Sequence, residues 1–89
     1  MKCLHIFFSG NVHGVGFRFT ASALAPAFKI KGWVKNCYDG KVELMAEGEE
    51  ADLKKFLAAV ENEMCQYIHE KQVSREPATG EFKRFEIRF

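Results

Sequence analysis

The sequence is poor in the residues that break, staple or anchor a chain. Pro26 and Pro77 are the only prolines among 89 residues. No repeat or Gly/Ser-rich stretch sets one part apart from another, so no internal boundary can be drawn. Cys3, Cys37 and Cys65 are odd in number, far apart and without a Cys-x-x-Cys pair. That argues against a disulfide framework and a zinc site, and for a reducing, cytoplasmic setting. No apolar run approaches the roughly 18 residues of a membrane span, and the alternating segment after Lys2 is no signal-peptide core. Charge of one sign is missing too: 13 Lys+Arg against 12 Asp+Glu leave +1, too little to hold nucleic acid or an anionic membrane by the overall field. Any anion must be captured locally.

What is present is an ordinary globular composition, 47% hydrophobic and 28% charged, which excludes a disordered or low-complexity chain. At this length residues 1–89 are expected to form one domain. Leu4, Ile6 and Phe8 alternate with Cys3, His5 and Phe7, the period of a strand. Phe17 to about Ala25 is small and apolar enough for a buried helix that Pro26 ends or kinks. Gly32 to Asn36 and Lys41 to Met45 flank Asp39-Gly40, a hairpin signal. From Glu49 to Met64, Leu53, Phe56, Leu57, Val60 and Met64 recur at helical spacing. A fourth strand is expected between Ile68 and Glu76, and a last one from Phe82 to Phe89 with Phe85, Ile87 and Phe89 on one face. The order is β-α-β-β-α-β plus a C-terminal strand. It predicts an α+β, ferredoxin-like split β-α-β sandwich with two helices on one face of a mainly antiparallel sheet, strands one and three at its centre.

Such a fold hosts enzymes, regulators and RNA binders, so the site must decide function. The glycine loop Gly10-Asn11-Val12-His13-Gly14-Val15-Gly16 runs into Phe17-Arg18 at a helix start. Successive amides in such a loop, with the unsatisfied donors of a helix N-terminus, make an anion cradle. A cation at Arg18 opposes the helix macrodipole by ~0.3 to 1 kcal/mol, a cost that an anion between them offsets. On its own, a glycine loop is more often an ordinary turn followed by a surface arginine. Asn36, at a strand end, offers a donor and an acceptor to a water and a neighbour, or simply shapes a turn. His5, His13 and His69 share no metal-ligand spacing, and no cofactor is expected. Cys37 reads first as a small strand residue. Strand three lacks the aromatics on which RNA bases stack.

Taken together, Gly10-Asn11-Val12-His13-Gly14-Val15-Gly16-Phe17-Arg18 and Gly32-Trp33-Val34-Lys35-Asn36 resemble the two signatures of the acylphosphatase family, G-x-V-Q-G-V-x-F-R and G-W-V-x-N. Asp39-Gly40-Lys41-Val42-Glu43, Gly48 and the closing Phe85-Glu86-Ile87-Arg88 extend the likeness over nearly the whole chain. The resemblance implies hydrolysis of the carboxyl-phosphate bond of small acyl phosphates. The amides from Gly10 to Arg18 and the Arg18 guanidinium would bind the phosphate, and Asn36 would position the attacking water. Inorganic phosphate or sulfate would act as a product-like ligand, the protein would be a monomer, and neither nucleic acid nor membrane would be a partner. The alternative is a substrate-binding module of a larger carbamoyl-phosphate-using protein. The sequence departs from the family pattern at His13, where glutamine is usual. It also departs at Pro26 and Lys29 near the first helix's end, and around Met64-Cys65-Gln66, where a Gly-Pro turn is absent.

Overall fold

The computed structural model describes residues 1–89. Its elements follow as β1 (Lys2–Gly10), α1 (Phe17–Leu24), β2 (Lys31–Asn36), β3 (Val42–Gly48), α2 (Glu50–Glu63), β4 (Ile68–Glu76) and β5 (Phe85–Arg88). The sheet order is β4-β1-β3-β2-β5, which puts β1 and β3 in the interior as the split topology predicts. All neighbours are antiparallel except the β2–β5 pair, which is parallel.

Register explains the core. Ile6 lies opposite Leu44 and Val34 opposite the same Leu44, so one sheet face carries a row of branched side chains. Leu4, Ile6, Phe8, Val34, Val42, Leu44 and Ala46 meet Phe17 and Ala21 of α1 and Leu53, Phe56 and Val60 of α2 in one buried cluster. Fully burying a Leu, Val or Phe side chain is worth roughly 1.5–3 kcal/mol, so this layer, not helix propensity, holds the eight-residue α1 in place.

Pro26 ends α1 rather than kinking it. The helix stops at Leu24 and tightens into a 3-10 turn over Ala25–Phe28, with the proline in its first positions, where no amide donor is needed. Lys29, the only non-glycine residue at positive φ (59°), closes that turn. Its place in the left-handed region explains why a glycine would suit it. After α2, the amides of Tyr67 and Ile68 both donate to the Met64 carbonyl at 2.9 and 3.1 Å. This compact turn leads into β4 without a Gly-Pro pair.

Two sequence expectations are corrected at the last strand, which begins at Phe85 and not at Phe82. Phe85 and Ile87 pack against the core, but Phe89 is 96% exposed. The final pairing on this edge is Lys35 with Arg88, so Phe89 lies past the ladder and is released from strand alternation.

Candidate active site

The loop between β1 and α1 is built to leave its amides open. Gly10 sits at φ 123° where β1 meets the β4 side, and a Cβ there would fall 2.5 Å from the Tyr67 carbonyl oxygen, so only glycine allows the approach. The next amide, of Asn11, donates to that same carbonyl at 2.9 Å. Val12 is buried in the core and Val15 packs against it, which anchors the loop from beneath. Gly16 then caps α1 in the left-handed conformation (φ 79°, ψ 18°) with no side-chain cap and no acidic residue in the first turn. From Val12 through Phe19 no backbone N–H meets a protein acceptor. A run of unsatisfied donors ending at a helix N-terminus is the arrangement that receives an anion.

Val12, Gly14, Gly16, Phe17, Arg18, Phe19 and Asn36 line one cavity of about 170 Å³ at this loop. The fold therefore brings the end of β2 against the glycine loop, a nearness that spacing alone does not yield. Asn36 is half-buried at the last rung of β2, opposite Val42. It also lines a second cleft of about 420 Å³ with Lys35, Cys37, Tyr38, Glu43 and Phe89. Arg18 is half-buried and has no carboxylate within ion-pairing reach. Its guanidinium carbon lies 5.0 Å from the centroid of the Phe89 ring. A stacked cation keeps its N–H edges available for an oxygen anion.

Gly10, Asn11, His13 and Val15 do not line this cavity. The His13 Nε2 lies 2.9 Å from the Lys41 carbonyl oxygen, so this ring reaches the β2–β3 turn. That turn is closed by the Cys37 amide donating to the same Lys41 carbonyl at 2.8 Å, the Gly40 amide to Cys37 at 3.2 Å, and the Lys41 amide to Asp39 Oδ1 at 3.1 Å.

On the sheet face away from the helices, His5 bridges two carboxylates: Nε2 is 2.6 Å from Glu43 and Nδ1 is 2.8 Å from Glu76. Burial opposes charging this imidazole, yet the hydrogen bonds and charges of Glu43 and Glu76 prevail and raise its pKa above the ordinary value. Lys35 Nζ lies 3.7 Å from the other oxygen of Glu43. Burial first, and the negative charge of Glu43 and Asp39 second, push the Cys37 thiol up, which keeps it protonated and a poor nucleophile. The sequence points to Phe89 only as an apolar strand residue and does not single out Phe19. A Phe directly after the site arginine and left 69% exposed is a signal only once burial is known.

Comparison with known proteins shows the family to which this fold belongs. The acylphosphatase family model matches residues 4–87. An acylphosphatase of Acaryochloris marina is 39% identical over 85 residues, covering 96% of this chain and 91% of that one. The crystal structure of acylphosphatase from Bacillus subtilis superposes with a TM-score of 0.90 at 35% identity, each chain covered in full. The structure of HypF from T. kodakarensis contains a similar part, with a TM-score of 0.85 and 28% identity, but this chain matches only 12% of it. With a cradle of open amides, an arginine and an asparagine assembled on the fold of these relatives, the chain belongs to the acylphosphatase family.

Proposed function

We propose that this protein hydrolyses small acyl phosphates to a carboxylate and inorganic phosphate, with the 12–19 amides and Arg18 holding the phosphate and Asn36 aligning the water. The observation that carries this reading is the run of amides without protein acceptors, from which Val12, Gly14, Gly16, Phe17, Arg18 and Phe19 line one cavity with Asn36. The water attacks phosphorus as the bond from phosphorus to the acyl oxygen breaks, its electron pair leaving with the carboxylate. One water proton passes to a phosphate oxygen. A leaving group whose conjugate acid has a pKa near ~4 needs no general acid, which suits a cavity lined by neither histidine nor carboxylate. Catalysis is then positioning and electrostatics. At an effective dielectric near 20, a guanidinium about 4 Å from each unit of phosphate charge contributes on the order of 4 kcal/mol before desolvation. In-line displacement places the leaving carboxylate on the side of phosphorus away from the water, so the acyl group would lie across the phosphate from Asn36.

The larger-protein alternative has less support, since this chain is 39% identical to the Acaryochloris marina acylphosphatase and 28% identical to the HypF part. The test is release of phosphate from acetyl phosphate and benzoyl phosphate by the purified protein in EDTA, beside a phosphomonoester. Acyl phosphates should turn over and the monoester, whose alkoxide leaves poorly without an acid, should not. Equal rates on both, or activity that EDTA abolishes and a metal restores, would contradict the mechanism.

A further inference from the structure

His13 is one of the loop residues that the phosphate cavity leaves out, and its side chain has another partner. Its Nε2 lies 2.9 Å from the Lys41 carbonyl oxygen, 28 residues away in sequence. A carbonyl only accepts, so Nε2 must carry the proton, whether the ring is neutral or charged. The second lone pair of that oxygen takes the Cys37 amide at 2.8 Å. Cys37 directly follows Asn36, and Asn36 pairs with Val42, the residue after Lys41. One carbonyl thus joins the glycine loop to the turn that fixes the end of β2.

We propose that His13 is a positioning residue: its Nε2–H to Lys41 bond sets the distance between the phosphate cradle and the Asn36 amide, with no contact to phosphate. The inference rests on the reading of Asn36 as the water-aligning group. Reaction rates depend steeply on such distances, because a misplacement of about 1 Å can cost on the order of 10²-fold. Losing one exposed tether that the β2–β3 ladder partly backs up should cost less, roughly ten-fold in kcat. Phosphate affinity should hardly change, since the open amides and Arg18 remain. The imidazole is exposed, so its removal leaves the core untouched.

The test combines nitrogen-15 NMR of the His13 ring with kinetics and inorganic phosphate titration of His13→Ala and His13→Gln. In the wild-type protein at alkaline pH the neutral ring should carry its proton on Nε2 and none on Nδ1. His13→Ala should lose about ten-fold in kcat on benzoyl phosphate while its phosphate Kd stays within about two-fold, the pattern of a lost transition-state alignment. His13→Gln, whose amide can donate to the same carbonyl, should recover most of the rate. A neutral ring protonated on Nδ1, wild-type kcat in His13→Ala, or parallel loss of kcat and phosphate affinity would each overturn the proposal. If the wild-type protein fails to hydrolyse any acyl phosphate, the hydrolase reading falls, and the tautomer measurement still decides the His13 to Lys41 bond by itself.

Discussion

Arg18 stands in the first turn of α1 with no carboxylate partner and no acidic neighbour in that turn. A cation kept at the positive end of a helix dipole is disfavoured until an anion arrives between them, so in the proposed role Arg18 contributes only with phosphate bound. Arg18→Gln should lower kcat/KM about 10³-fold, as removal of one strong donor does at other anion holes. Arg18→Lys should recover little, because an ammonium keeps the charge but loses the planar fork that meets two oxygens. Steady-state kinetics on benzoyl phosphate check both, and near-normal turnover by a folded Arg18→Gln protein would remove it from the site. Arg18 and Asn36 are legible in the sequence as site candidates because their residue types suit the proposed chemistry and sit in two linked motifs. The work of His13 is not legible, since its acceptor is a backbone carbonyl in a distant turn. Phe89 misleads in the opposite way: strand alternation aims it inward, but the ladder ends one residue earlier.

The strands carry the pH dependence. His5 on β1 is clasped between Glu43 of β3 and Glu76 of β4, tying three neighbouring strands together across the face opposite the core. Its folded-state pKa is raised, so its contribution is fully present below the unfolded value, about 6.5, and is lost as pH rises through the folded value. The thermal midpoint of the wild-type protein should therefore fall as pH is raised from about 6 through that window. In His5→Gln the slope in that window should largely vanish. Thermal unfolding of both proteins across this range is the check; an unchanged slope in the variant would assign the dependence elsewhere. Element existence is readable from periodicity here: β4 lies over Ile68–Glu76 as expected, and α2 differs from the expected span by one residue at each end. The end of α1 is less so, because whether Pro26 kinks a helix or finishes it depends on Ile30, whose amide turns back to the Ala25 carbonyl at 3.0 Å. That bond is a feature of the turn leading into β2 and has no local pattern.

For the molecule as a whole, the proposed function depends on a juxtaposition that neither motif contains. The glycine loop follows β1 and the asparagine ends β2, and these strands are not neighbours: β3 lies between them. The α+β class and the central place of strands one and three follow from the order of elements. The shared cavity of Arg18 and Asn36 follows only from the folded sheet and from α1 lying over it. This separation makes the two proposed tasks separable by experiment, phosphate binding by the loop and water alignment by the end of β2. Asn36→Ala leaves the open amides and Arg18 in place. The deciding measurement is therefore calorimetric titration of Asn36→Ala with inorganic phosphate beside its single-turnover hydrolysis of benzoyl phosphate, circular dichroism confirming the fold. Its phosphate Kd should stay close to that of the wild-type protein, and its chemical step should be slower by at least roughly 10²-fold. Full chemical turnover, or phosphate binding and hydrolysis lost in equal measure, would contradict the proposed role of Asn36.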